Sequence, residues 1–464
     1  MKTTAFLLAG LAALAAGATP TISDISFSVT DAGLLQVDYT LGGETCIVMP
    51  EIETNAAPGA AAAVWVPLDA AAATELIGDV QCKVETGARR FWWDVRGVID
   101  GTFALKDMRV KLSAWSEKAP PDYMSISLTD GHVMYWTSTN QLPGGIGDDL
   151  WRTDRMLLRR IPAKGVTWTM GSPTNTATTV AELGRTDLEH PHRVKFTRDY
   201  YIGVFEVTQW QYWRLMGSRP SAFSNETCWA TRPVERVNYN TTLGATGSWP
   251  GTPPHSDASY AASADTFVKR LRDICNLGIH LTFPTEAQWE FACRAGTGTA
   301  LYSGLNLSQT DKACANLDSL GRYKFNGGWG PDGKSAPVDK ATADTSVGTA
   351  RVGSYAPNAF GLYDMLGNVW EMCLDWYGRP ASNLVEGVEF DPVGTDKDTS
   401  YTRSSGTCRA ACGGSWISPP KNCRASSVGS AQMWQNAVGG ANWEDAAGSS
   451  EATKGFRMCY TIFE

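Results

Sequence analysis

Histidine is nearly absent from this chain: five residues in 464, at positions 132, 190, 192, 255 and 280. A site built from several imidazoles is therefore excluded, and the five include no His-Glu-x-x-His or His-x-x-x-His spacing. Positive charge is also in short supply. Lys and Arg total 40 against 48 Asp and Glu, a formal net charge of −8. With no basic stripe along the sequence, nucleic-acid binding by phosphate neutralisation is excluded as well. No apolar run reaches the roughly 18–20 residues that a membrane-spanning helix needs. Neither a P-loop nor a Gly-x-Ser-x-Gly elbow occurs, and no pair of acids stands out as a glycosidase dyad. What the chain has in quantity is Gly (46) and Trp (18), suited to an irregular fold filled by large aromatics.

The N-terminus sets the expected compartment. Lys2 precedes the apolar run Ala5–Ala16, and Ala16-Gly17-Ala18 is a small-x-small cleavage pattern. Residues 1–18 are therefore expected to be a signal peptide, with a buried N-terminal helix as the alternative. The expected location is secreted, periplasmic or cell-surface, with no membrane span. Eleven cysteines then enter a space that permits disulfides, and their odd number leaves at least one thiol unpaired in a monomer. The sequons at Asn225, Asn240 and Asn306 matter only where exported chains are glycosylated.

Residues 20–128 read as all-β. Ile25, Phe27 and Val29 alternate with polar neighbours, as do Leu35, Val37, Tyr39 and Leu41 after the Asp31-Ala32-Gly33 turn. Strand-like runs follow at Cys46–Glu53, Val64–Pro67, Arg90–Val95, Met108–Trp115 and Met124–Leu128. Their number and spacing predict a β-sandwich of immunoglobulin type, a spacer or adhesion module without chemistry of its own. The tract Ala56–Ala63, broken by Pro58 and Gly59, reads as a loop or frayed hairpin. A Gly/Pro-bearing linker, 129–156, leads to a second unit, 157–464. Three helices are signalled there: one opened by the capping box Thr208-Gln209-Trp210-Gln211 and stopped by Gly217, one with the stripe Phe267, Leu271, Ile274 ending at Gly278, and one opened by Thr285-Glu286-Ala287-Gln288 and closed by Gly296. His190-Pro191-His192 reads as a strand edge.

The second unit carries an ordered set of segments: Met170-Gly171-Ser172, Phe205-Glu206-Val207-Thr208-Gln209, Pro233 to Val237, Phe283 to Phe291, Asn358 to Glu371, Gly413-Gly414-Ser415-Trp416 and Gly455-Phe456-Arg457. In this order they resemble the sulfatase-modifying-factor family, whose best-known member is the formylglycine-generating enzyme. The resemblance covers about 157–464 and implies an irregular α+β domain related to C-type lectins. It also implies structural calcium. One site would use Asp364, the carbonyls of Gly367 and Val369, and Glu371, hard oxygens around a Gly-bearing turn as Ca²⁺ requires. A second would use Asn316, the Leu317 carbonyl, Asp344 and the Ser346 carbonyl. The alternative for Asp364 and Glu371 is a helix cap and a surface carboxylate.

At the catalytic centre the chain departs from the resemblance. The family enzyme places two copper-binding cysteines two and seven residues beyond the aromatic of its Gly-Gly-Ser-Trp/Tyr segment. Counted from Trp416, those positions are Ser418 and Cys423. A hydroxyl is a poor Cu(I) ligand, so copper is doubtful and Cys423 is the surviving catalytic candidate. Arg424-Ala425-Ser426 fits the family better with three residues deleted before it, which would move even Cys423 off the catalytic position. Cys412 or Cys408 could replace the missing thiol, although a disulfide, Cys412–Cys423 or Cys408–Cys412, is the plainer expectation. Sulfoxide-synthase relatives use a His-x-x-x-His iron site that this chain lacks. The expected function is accordingly a calcium-stabilised, non-catalytic or weakly active module that binds an exported protein or a surface polysaccharide. The alternative is a copper- and oxygen-dependent oxidase that makes formylglycine from a cysteine of a sulfatase-type protein.

Overall fold

The computed structural model describes residues 19–67, 76–94, 105–176, 180–244, 262–275, 280–327, 346–377, 387–392, 408–432 and 453–462. The expected signal peptide, Asp344 and Gly278 lie outside the described residues. Two compact units result, 1–125 with 133–148 and 463–464, and 126–132 with 149–462.

In the first unit the expected strand runs become β1 (Thr21–Val29), β2 (Leu34–Gly42), β3 (Cys46–Asn55), β4 (Trp65–Pro67), β7 (Gly87–Asp94) and β8 (Met108–Trp115), and two short strands that the sequence does not announce, β5 (Leu76–Gly78) and β6 (Lys83–Val84), join them. One antiparallel sheet runs β1-β2-β7-β5; the other runs β4-β3-β6, with β8 also on β3. The inward residues of β2, Leu35, Val37, Tyr39 and Leu41, share a core with Val48, Ile52 and Val110 of the other sheet. Two sheets over one core make a sandwich. The alanine tract is the tip of the β3–β4 hairpin, where the Asn55 side-chain oxygen accepts from the amides of Ala57 (3.0 Å) and Val64 (3.1 Å). Strands β9 (Tyr123–Ser127) and β10 (Val133–Trp136) follow, then two short 3-10 turns at Thr139–Gln141 and Asp149–Arg152. The stretch 129–156, read as a linker, thus carries regular structure.

The second unit contains β11 (Arg155–Ile161), β12 (Thr167–Met170), β13 (His192–Lys195), β14 (Tyr200–Gly203), α1 (Gln209–Met216), α2 (Tyr239–Thr242), α3 (Phe267–Ile274), α4 (Glu286–Arg294), β15 (Trp370–Trp376), β16 (Val388–Phe390), β17 (Cys408–Cys412), β18 (Val428–Gln432), β19 (Lys454–Gly455) and β20 (Cys459–Thr461). Helices α1 and α4 start on the capping boxes that the sequence announces, Thr208 with Gln211 and Thr285 with Gln288. Gly217, at φ 68°, stops α1. Helix α3 ends at Cys275, before the expected Gly278. His192 opens β13, which is a middle strand and not an edge: β12 flanks one side, and β16, some 190 residues on, pairs parallel on the other.

The element that positions the site is β15. It lies between β17 and β19, and all seven of its residues are buried. Such a strand reads as an apolar run, yet this one carries Glu371 and Asp375. Burial pushes the Asp375 carboxyl up to about 7, even though its Oδ2 accepts from the Glu286 amide at 2.6 Å. Because the folded value lies above the unfolded one, the contribution of Asp375 to stability is fully present below about pH 4 and is lost as pH rises through 7. Raising pH from 5 to 8 should cost the fold about 2–3 kcal/mol through this group. Urea denaturation at the two pH values should show that loss, and Asp375→Asn should flatten it. An unchanged slope in the variant would assign the effect elsewhere.

Candidate functional site

The segment from Asp364 to Glu371 is a tight loop running straight into β15. Three of its residues sit in the left-handed region: Asp364 (φ 56°), Gly367 (φ 87°) and Asn368 (φ 57°). Asp and Asn tolerate that conformation better than other side chains do. At Gly367 a side chain is also excluded by space, since a Cβ there would stand 2.0 Å from the Arg322 carbonyl oxygen. The loop is pinned from outside by backbone bonds: Gly367 donates to Gly413 (2.7 Å), Asn368 donates to Arg322 (2.7 Å), and Asn368 accepts from Trp416 (2.8 Å). The Gly-Gly-Ser-Trp segment and the candidate calcium loop are thereby held side by side.

Neither Asp364 nor Glu371 is a helix cap or a surface group; each is 1% exposed. Glu371 is clasped by Arg457, whose Nε and Nη2 donate to its two oxygens at 2.9 and 2.7 Å, while the Trp289 indole donates at 2.7 Å. The remaining Arg457 bonds reach the carbonyls of Gly203, Val204 and Tyr363 at 2.7, 3.0 and 2.8 Å. A third carboxylate, Glu206, accepts from the Asn368 side chain (2.6 Å) and the Val369 amide (3.2 Å). Burial raises Glu206 well above the usual carboxylate range, and the charges of Asp364 and Glu371 add to that. The sequence reading singled out the loop but missed Arg457, Glu206 and Trp289 as its partners. Each lies in a segment already noted, so the signal was there without the contact.

The cluster bears on calcium in two opposite ways. Asp364 Oδ2 accepts from the Gly353 amide at 2.5 Å, but Oδ1 is buried without a hydrogen-bond partner. An orphaned carboxylate oxygen is what a hard cation would satisfy. Glu371, by contrast, already has its charge matched by Arg457. The donor chemistry therefore leaves one hard oxygen open to Ca²⁺, at Asp364, while Glu371 is already engaged. Among the described residues, no group of three or more His, Cys, Asp or Glu is arranged to hold a metal by side chains alone. At the second candidate site, Asn316 donates to the Asn306 carbonyl (2.9 Å), the Leu317 carbonyl accepts from Leu320 (2.9 Å), and the Ser346 carbonyl accepts from Arg322 (3.0 Å). Its remaining member, Asp344, is outside the described residues.

The two positions matched to the copper cysteines lie beside this loop. Ser418 is fully buried; its hydroxyl accepts from the Ser415 amide at 3.0 Å and shares a 3.0 Å bond with the Ser415 hydroxyl. Cys423 is a fully buried residue whose sulfur lies against Gly414, where a Cβ would come within 2.6 Å. The next residue, Arg424, is bound to Glu182 and Glu189 in a buried ion cluster. The ten cysteines whose side chains are described form no disulfide, and Cys412 faces Cys373 rather than Cys423.

An irregular α+β domain with a buried Arg–carboxylate knot under a Gly-Gly-Ser-Trp segment is the class that the fold and the site define. The chain belongs to the sulfatase-modifying-factor family: the Sulfatase-modifying factor enzyme 1-like domain matches residues 165–440. A formylglycine-generating enzyme of Thermomonospora curvata is 34% identical over 141 residues, 30% of this chain and 40% of that protein. The chaperone protein LppX of Paenibacillus barcinonensis is 30% identical over 197 residues, 39% of this chain and 64% of that one. A serine/threonine-protein kinase pkn1 of Chlamydia caviae is 28% identical over 239 residues, 50% of this chain and 30% of that one. The matches thus span less than two thirds of these relatives. Among solved structures, Treponema denticola variable protein 1 aligns with a TM-score of 0.41 at 22% identity, covering 66% of this chain and 95% of that one. Among the described residues no helix is long and apolar enough to cross a membrane.

Proposed function

We propose that this chain is an exported, calcium-stabilised binding member of the family that lacks the oxidase reaction. The observation that carries this reading is Ser418. Its hydroxyl is fully buried and committed to Ser415, so positions 418 and 423 do not supply the two soft thiolates that Cu(I) takes. Family membership does not supply the missing activity, because function follows the site and not the fold. The relatives' names agree with that caution, being formylglycine-generating enzyme, chaperone and protein kinase in turn. The ligand class that suits an aromatic-rich, lectin-related domain is an exported protein or a surface polysaccharide. The N-terminal sandwich, of immunoglobulin type, serves as its spacer or adhesion module. Calcium is held at Asp364, Gly367, Val369 and Glu371, with Asn316, Leu317, Asp344 and Ser346 as a second set.

The competing reading is a formylglycine-generating oxidase with Cys423 as its thiol, favoured by the retention of that thiol against Gly414. Reduced protein incubated with Cu(I) and a sulfatase-type cysteine peptide separates the two. The expected result is no aldehyde product by mass spectrometry and a copper content unchanged by Cys423→Ser. One equivalent of copper, with turnover abolished by Cys423→Ser, would replace the binding reading with the oxidase.

A further inference from the structure

Strands β15 and β17 bring two thiols together in the core of the second unit. The Cys373 thiol donates to Cys412 Sγ at 3.8 Å, and the two side chains are 0% and 2% exposed. The contact follows from an irregular register. At its start β15 pairs Glu371 with Cys412 and Met372 with Ala411, but the pairing shifts before Trp376 meets Arg409. Extended back from Trp376, the later register sets Cys373 opposite Cys412. Residues 371 and 373 share one face of β15, the face that Cys412 meets. Other described thiols have different neighbours: Cys459 donates to the Gln288 side chain (3.6 Å), Cys293 to the Met365 carbonyl (3.8 Å), and Cys314 lies 3.4 Å from the Ser308 hydroxyl.

We propose that Cys373 and Cys412 are the residues of this unit that a small-molecule disulfide, such as oxidised glutathione, converts to an intramolecular disulfide. One thiolate attacks the oxidant's disulfide, forming a mixed disulfide and releasing one glutathione thiolate. The second protein thiolate attacks the mixed disulfide at the protein sulfur and releases the other glutathione thiolate. Two protein thiols lose two protons and two electrons, and one oxidant becomes two thiols. Closing the bond brings the sulfurs about 1.8 Å nearer, to the ~2.0 Å of a disulfide. Side-chain rotation within a strand pair already in contact can supply that. Both side chains are closed off in the core, so an oxidant reaches the folded thiols only slowly. The bond therefore forms while β17 is docking on β15, and packing protects it afterwards.

The pairing is read directly from peptides. Cleavage after Arg351, Lys397, Arg403, Arg409, Lys421 and Arg424 places Cys373, Cys408, Cys412 and Cys423 on four separate tryptic peptides. The full chain is refolded in a mixture of oxidised and reduced glutathione, quenched with N-ethylmaleimide and digested without reduction. The expected product joins the Cys373 and Cys412 peptides at the summed mass less two hydrogens. The oxidised protein should melt roughly 5–10 °C above the reduced one, because the bond closes a loop of about 40 residues. Cys373→Ser and Cys412→Ser should each abolish that difference. Recovery of both cysteines as maleimide adducts, or of Cys412 joined to Cys408 or Cys423, would overturn the assignment without recourse to a variant.

Discussion

Arg457→Met should destabilise the second unit by about 3–5 kcal/mol, enough to prevent it from folding at 37 °C. Arg457 is completely buried, and its guanidinium makes bonds to Glu371, Gly203, Val204 and Tyr363. Burial works against its charge, but Glu371 first, and then Glu206 and Asp364, more than offset that and hold Arg457 above its ordinary range. Removing the cation leaves a buried carboxylate with only the Trp289 indole to face it. Three carbonyls lose their donor as well, each at a cost of about 1 kcal/mol or more. Combining Arg457→Met with Glu371→Gln removes the stranded charge and keeps an acceptor for Trp289. That pair should recover about half of the loss, about 2 kcal/mol. Arg351→Met is the contrast: its bridge to Asp149 is one-third exposed on the Arg side and more so on the Asp, and such pairs contribute at most about 1 kcal/mol. Urea denaturation of the four proteins decides the matter. If Arg457→Met unfolds within 1 kcal/mol of wild type, the knot is not what holds the unit together.

The contrast between Arg457 and its surroundings shows what a sequence can disclose here. The strands of the first unit were legible because Leu35, Val37, Tyr39 and Leu41 alternate, and alternation is a local consequence of one buried face. Helices α1 and α4 were legible because a capping box is complete within four residues. Helix α2 was missed, since a turn from Tyr239 to Thr242 is too short for a periodic stripe, and its capping box of Asn238 with Thr241 lacks the Ser/Thr-x-x-Glu/Gln pattern that announces α1 and α4. The loop Asp364–Glu371 could be found because the segment Asn358 to Glu371 resembles the family's. The groups that neutralise and orient it could not: Trp289 is 82 residues away, Arg457 is 86, and Glu206 is about 160. No periodicity spans such distances. The cysteines follow the same rule, because Cys412 was matched to neighbours in sequence, whereas a register shift hands it Cys373.

Removing calcium should lower the melting temperature of the second unit, and Asp364 decides whether the effect is specific. The reason lies in the imbalance of the knot. Glu206, Asp364 and Glu371 are buried together around Arg457, and Arg152 is the next cation within electrostatic reach of Asp364. Arg457 answers Glu371 directly, but Asp364 Oδ1 has no donor. A divalent cation at Oδ1 would satisfy that oxygen, in a place too buried for water to screen it. Binding only to the folded state, Ca²⁺ at a few hundred times its dissociation constant would contribute about 3–4 kcal/mol. Chelator should therefore shift wild type down in temperature, with hydrogen exchange rising across the peptide that contains 364–376. Asp364→Ala should lose the response to both calcium and chelator. Its own baseline will reflect a second cost, since Ala at φ 56° is strained by about 1–2 kcal/mol, so the measured quantity is the calcium-dependent difference within each protein. Glu371 is the wrong residue for the test, because changing it also breaks the Arg457 bridge. Equal melting of wild type with and without chelator would leave the orphaned Asp364 oxygen to a water and remove calcium from this site.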